Sequence, residues 1–162
     1  MGREYYFHGQ YQQAIETLKK HLTLKSSTWA LERSASYRYI ASCHKHLGNK
    51  NEQEKNLVLA CLEAPNTREP FFELAVMYFQ NENYILSAFM FEEMFKVKNR
   101  ELNYMSSPHC WSSLPYDYLS ICYYHLGNIN KAIENATKAL KLSNEERLKK
   151  NLEFFIKENN KI

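Results

Sequence analysis

Gly9-Gln-Tyr-Gln-Gln-Ala-Ile-Glu-Thr-Leu-Lys-Lys-His-Leu-Thr-Leu24 returns further along the chain as Gly127-Asn-Ile-Asn-Lys-Ala-Ile-Glu-Asn-Ala-Thr-Lys-Ala-Leu-Lys-Leu142. Seven of the sixteen positions are identical: the glycine, the Ala-Ile-Glu triplet, one Lys and two Leu. Self-similarity of this kind sets the architecture before any single residue is weighed. It also lowers the expectation of catalysis, because stacked repeats build surfaces more often than reaction centres.

Composition bounds the rest. The 162 residues suffice for one domain with a real core. With 44% apolar and 24% charged side chains, the chain reads as globular rather than disordered. A net charge of +3 gives no electrostatic case for nucleic acid. No apolar run reaches the roughly 18 residues of a membrane span, and no signal-peptide pattern opens the chain. Cys43, Cys61, Cys110 and Cys122 lack CxxC spacing, which argues against a disulfide framework or a zinc site. Reduced thiols in a cytoplasmic protein are expected. Four Gly and four Pro are too few for an all-β fold or a phosphate-cradling loop. Asp117 is the one aspartate, so no mechanism needing paired aspartates fits within these residues.

Helix-to-helix turns are expected at Gly9, at Leu47-Gly48-Asn49, at Asn81-Glu82-Asn83 and at Leu126-Gly127-Asn128. Gly48 to Glu82 is 34 residues, the period of the tetratricopeptide repeat, a pair of antiparallel helices. Gly9 to Gly48 is 39, which assigns five extra residues to the first connection; Glu82 to Gly127 is 45, which assigns eleven to the third. Tyr37-x2-Ile40-Ala41-x2-His44, Phe71-x2-Leu74-Ala75-x2-Tyr78 and Tyr116-x2-Leu119-Ser120-x2-Tyr123 precede three of the turns. Gln53-x3-Leu57-x2-Ala60, Ser87-x3-Phe91-x2-Met94 and Ala132-x3-Ala136-x2-Ala139 follow them. These strings resemble the repeat's pattern, with Gln53 and Ser87 standing where Ala is usual. Small residues let paired helices approach, and large ones fill the space between them.

The expected fold is therefore an all-α tetratricopeptide-repeat solenoid, a single domain over 1–162. Its units fall at about 1–27, 28–66, 67–98 and 113–143, with an insertion at 98–112. A capping helix over 144–159 is opened by a Ser143/Glu146 capping box and presents Lys149, Lys150, Glu153 and Lys157. Gly2 falls on a small helix-contact position. Pro70 and Pro115 share a place in the first helical turn. In this register Met1 already lies mid-helix, which reads either as a frayed terminus or as excision from a longer protein.

Most chemical groups have a packing explanation. Cys43 and Cys122 occupy equivalent positions and Cys61 aligns with Phe95 and Leu140, so all three read as small hydrophobes. His44 and His46 diverge by about 200° on a helix and cannot share a metal; His44 replaces a packing tyrosine. Cys110 lies beside His109 and Trp111 in the insertion, and a Cys-His nucleophile there would need a third orienting group. No catalytic residue, metal ligand or cofactor is assigned.

A partner-binding groove is expected on the exposed face of the first helix of each pair. It comprises Tyr6; Arg38, Ser42 and Lys45; Phe72, Val76, Phe79 and Gln80; and Asp117, Ile121 and Tyr124. An ordinary solvated face would not present Phe72, Val76, Phe79, Ile121 and Tyr124 together. A peptide or another domain could dock there, the last helix or the insertion could fold back over it, or it could form a small-molecule pocket. The insertion supplies Tyr104, His109 and Trp111 as further candidates, either for function or for packing on neighbouring helices.

A closer resemblance rests on longer strings. Ala64-Pro-Asn-Thr-Arg-Glu-Pro-Phe-Phe-Glu-Leu-Ala75, Trp111-Ser-Ser-Leu-Pro-Tyr-Asp-Tyr-Leu-Ser120, Leu126-Gly-Asn with Lys131-Ala-Ile, and the Arg147-Leu148 and Asn151-Leu152 ending carry it. Together they resemble the helical region that follows the catalytic domain in tetratricopeptide-containing family 2 glycosyltransferases of bacteria. The resemblance implies a parent that transfers sugar from a nucleotide-sugar donor, using a divalent metal held by an Asp-x-Asp motif. With one aspartate this chain lacks that motif. It would be the non-catalytic module, serving dimerisation, acceptor recruitment or bracing of the catalytic domain. The rival readings are a free-standing adaptor for peptide or protein segments, and an enzyme using Asp117, His125 and the insertion.

Overall fold

The computed structural model describes residues 1–101 and 103–161. Among them are α1 (Gly2–Phe7), α2 (Tyr11–Thr23), α3 (Ala30–His46), α4 (Lys50–Glu63), α5 (Glu69–Gln80), α6 (Tyr84–Lys96), α7 (Leu114–His125), α8 (Ile129–Leu142) and α9 (Glu146–Asn159). A 3-10 turn, Pro108–Trp111, precedes α7, and no strand occurs among the described residues. The chain forms two compact units. One comprises residues 1–74 and the described part of 99–105; the other comprises 75–98 and 106–161.

The four expected turns share one backbone solution. Gly9, Gly48, Glu82 and Gly127 have φ of 71°, 74°, 58° and 74°. Each donates its N–H to the carbonyl three residues back, and the next residue donates to the carbonyl five back, as in Asn49 to His44 and Asn128 to Tyr123. This is the Schellman closure, which satisfies the last carbonyls of one helix and needs a left-handed residue. Glycine adopts that conformation freely; Glu82 holds it with a Cβ. Asn83 and Asn128 then cap the following helices, accepting from the Leu86 and Lys131 amides at 3.2 Å.

In the first unit, Ala14, Ile15 and Leu18 of α2 pack on Ile40 and Cys43 of α3, with Tyr5, Tyr6, Tyr11 and Tyr39 around them. Gly2 sits where a Cβ would come within 2.7 Å of Leu18 Cγ, so the small residue is needed for α1 to reach α2. Arg33 ties three helices. It forks onto Glu63 of α4 with Nε at 3.0 Å from each carboxylate oxygen, and its Nη1 donates to the Leu22 carbonyl at 2.9 Å. The five extra residues of this repeat lie in the helix itself: α3 has 17 residues where α5 and α7 have 12.

In the second unit, Phe91 and Met94 of α6 and Leu119 and Cys122 of α7 are buried. Ser87, in a place where alanine is usual, donates to the Ala75 carbonyl at 2.9 Å and accepts from the Cys122 thiol at 3.4 Å. The departure from alanine thus bridges α5, α6 and α7. The last helix differs from expectation. It starts at Glu146 with Glu145 as its N-cap, and Ser143 Oγ donates to the Glu145 carboxylate at 2.7 Å rather than closing a box with Glu146. Its polar face is flanked by half-exposed Phe154 on one side and Ile156 on the other.

Candidate partner-binding faces

The two units can be set in register by their turns, since Gly9 corresponds to Glu82 and Gly48 to Gly127. An aromatic quartet then recurs. Tyr6 meets Tyr39 edge-on at 5.4 Å and Tyr11 stacks on His46 at 4.5 Å. Phe79 meets Tyr118 edge-on at 4.8 Å and Tyr84 stacks on His125 at 4.1 Å. Each set joins one helical pair to the first helix of the next. These contacts engage Tyr6 and Phe79 from below while leaving both half-buried.

In the first unit the groove set is polar at Tyr6, Arg38, Ser42 and Lys45 and apolar at Phe72. Tyr6 and Ser42 share a hydroxyl–hydroxyl bond of 3.0 Å. Arg38 donates from Nε to Glu73 of α5 at 2.8 Å. Lys45 is exposed, and Phe72 is half-buried. Arg38 also lines a cavity of about 350 Å³ with Gly2, Leu18, His21, Tyr39 and Tyr104. Tyr104 is exposed and lies edge-on to Trp29 at 5.8 Å. A groove residue and an insertion residue thus line one cavity. His21 stands in the cavity wall, bonded through Nδ1 to Ser36 at 2.9 Å and through Nε2 to Ser27 at 3.1 Å.

The second unit departs from the expected exposure. Asp117 is only 3% exposed. Arg147 of α9 donates to one of its oxygens and Asn151 of α9 to the other at 2.9 Å. The ion pair raises the Arg147 guanidinium above its ordinary value, the hydrogen bond to Asp117 being the main cause. Tyr124 lies against Phe154 and Phe155 at 5.2 and 5.3 Å. Helical phase within α7 places both residues outward, but α9 lies on that face and covers them. Val76 and Ile121 are half-buried and Gln80 is exposed. His109 and Trp111 line a separate opening of about 490 Å³ with Leu142, Ser143 and Arg147.

No set of three His, Cys, Asp or Glu side chains placed to hold a metal occurs among the described residues. Burial pushes the thiols of Cys43 and Cys122 up to about 11, and that of Cys61 to about 12. None of these three is a thiolate near neutral pH, which suits packing rather than nucleophilic attack. No described helix is long and apolar enough to cross a membrane.

A face absent from the expected set lies on α6. Ile85 and Phe89 are 68% and 50% exposed, with Leu86 between them. Counted from the turns, the matching positions are Gln12, Gln13 and Glu16 on α2, Asn51, Glu52 and Lys55 on α4, and Asn130, Lys131 and Glu134 on α8. Three helices are polar here and one is apolar. Superimposing the four second helices at their turns would have found it in the sequence.

Comparison with known proteins agrees with this architecture. Residues 119–146 match the tetratricopeptide repeat. A crystal structure of MamA superimposes over 99% of this chain and 85% of its own, with a TM-score of 0.76 and 14% identity. A structure of AMB-1 MamA gives 98%, 79%, 0.72 and 17% for the same quantities. A putative kinesin light chain from Podosopora anserina with nearly identical TPR-like repeats covers 99% of this chain and 84% of its own, at 0.67 and 18% identity. The chain has the all-α tetratricopeptide-repeat fold. The α6 patch lies on the helix that follows the third turn, at Glu82. No curated protein sequence matches.

Proposed function

We propose that this tetratricopeptide chain is a non-catalytic interaction module that binds a protein or peptide segment. The observation that carries the reading is the α6 face, where Ile85, Leu86 and Phe89 stand exposed at positions that are polar in the other three pairs. Exposed apolar clusters on folded domains mark partner surfaces. The expected groove contributes by unit: Arg38, Ser42 and Lys45 form a polar face in the first, and Phe79 and Ile121 an apolar one in the second. The buried thiols and the ion-paired Asp117 support a module without chemistry of its own.

The finer reading is that the parent protein is a bacterial family 2 glycosyltransferase acting in the cytoplasm, with this chain recruiting acceptor, bracing the catalytic domain or pairing with a second copy. It is supported by the Arg68-Glu69-Pro70 and Trp111-to-Asp117 strings. An in-frame upstream domain carrying Asp-x-Asp in the genomic sequence sustains it; an in-frame stop codon overturns it in favour of a free-standing adaptor.

The interaction reading is tested on an array of random short peptides probed with the wild type, Phe89→Glu and Phe79→Asp, where a buried-anchor loss of about 2 kcal/mol weakens retention some thirtyfold. Loss with Phe89→Glu assigns the α6 face, and loss with Phe79→Asp assigns the groove. Equal retention by all three overturns both.

A further inference from the structure

Four tetratricopeptide pairs place Tyr5, His44, Tyr78 and Tyr123 at the same distance before their turns. Only the second pair has an imidazole there. His44 is 8% exposed. Its Nε2 is buried with no hydrogen-bond partner among the described residues, and its Nδ1 lies 3.5 Å from Asn49 Nδ2. Tyr123, its counterpart in the second unit, donates to Glu92 and accepts from Lys131 at 3.2 Å. One unit therefore has a satisfied phenol where the other has a half-satisfied imidazole.

Burial comes first among the influences on His44, and the charges around it are of both signs, Glu52 having the largest effect. Lys19 of α2 and Lys55 of α4 disfavour a second proton, and Glu52 of α4 favours it. On its own helix Lys45 and His46 follow immediately. Burial is the largest influence and holds the imidazole below its ordinary value. Opening the layer would expose the ring to water and let it charge.

We propose that His44 is an acid-responsive latch of the first unit: protonation loosens the α2–α3–α4 layer, while the second unit, with Tyr123 in the same place, keeps its order. Repeat proteins open locally, pair by pair, so a charge buried in one pair acts there first. The sign follows from linkage. The folded state binds the proton more weakly than the unfolded state. The latch is fully closed above the ordinary imidazole value of 6.5 and is lost as pH falls through the lowered folded value. Because α2 and α3 wall the cavity beside Arg38 and Tyr104, the latch would also gate that site. That consequence rests on the interaction reading; the latch itself does not.

Hydrogen–deuterium exchange of the whole chain tests it without any partner. Protection in α2–α4, corrected for intrinsic exchange, should fall roughly tenfold between about pH 7.5 and about pH 5.5, with α6–α8 unchanged. His44→Tyr and His44→Phe should each remove the acid response. An equal loss in both units, or a response surviving either variant, overturns the latch. Should neither variant fold, an NMR titration of the wild-type ring decides: titration at its ordinary value overturns it, and a lowered value together with unit-selective exchange sustains it.

Discussion

The two units solve the same packing problem with opposite chemistry. On the face of α3 and α7, Arg38 in the first unit corresponds to Asp117 in the second, Ser42 to Ile121 and Lys45 to Tyr124. Arg38 reaches Glu73 of α5; Asp117 receives Arg147 and Asn151 of α9. In each case the second helix further along the chain, α5 for α3 and α9 for α7, supplies the complementary partner, with the sign reversed. The positions of the Tyr6–Ser42 hydroxyl pair are held by apolar Phe79 and Ile121 in the other unit. A common helical frame thus fixes which positions meet, and leaves open whether they meet through charge, hydroxyl or hydrocarbon.

Substitutions at matched positions can break that parallel. The largest effect is expected in the cores. Phe91→Ala should cost about 3–5 kcal/mol and Leu18→Ala, its smaller counterpart, about 2–4, read by urea unfolding. Equal costs would mean that one site collapses and the other does not. Next, Asp117→Ala should cost about 1–2 kcal/mol and strip hydrogen-exchange protection from α9. The figure is held down because the Arg147 left behind is half exposed and can be resolvated. Protection of α9 unchanged from wild type would show that Tyr124 and Phe155 alone hold it.

A subtler contrast lies in the turns. Gly48→Ala or Gly127→Ala should cost about 1 kcal/mol, and Glu82→Gly should gain up to about that much, because only the last substitution relieves a left-handed Cβ. A loss on Glu82→Gly, measured by thermal melting, would indicate that the carboxylate is needed at the turn. The smallest effect is expected from Tyr6→Phe, about 0.5–1 kcal/mol, since it leaves the Ser42 hydroxyl unpaired. Adding Ser42→Ile recreates the second unit's pair and should recover most of that loss; no recovery would show that the two faces are not interchangeable.

How much of this was legible follows from which interactions are local. The turns, the glycines and the placement of Gly2, Pro70 and Pro115 are properties of one or two helices, and periodicity exposes them. Asp117 is different. Phase within α7 places it outward, and its burial depends on a helix that begins 29 residues later. A faint signal existed: Arg147 and Asn151 share one face of α9 at i,i+4 spacing, as a pair of donors for a single carboxylate would. The capping box failed for a related reason, since Glu145 competes with Glu146 for Ser143. The α6 patch is different again: nothing within α6 marks Ile85, Leu86 and Phe89, and only the polar residues at the matching positions of α2, α4 and α8 set them apart.

The tryptophans offer a practical corollary of the two-unit division. The chain has two, and Trp29 belongs to the first unit while Trp111 belongs to the second. Trp29 lies against Tyr104, and Trp111 lines the opening beside α8 and α9. Trp111→Phe therefore leaves an emission signal from the first unit alone, and Trp29→Phe leaves one from the second. Each half of the molecule carries its own optical reporter, so a stopped-flow trace can be assigned to one unit without any added label.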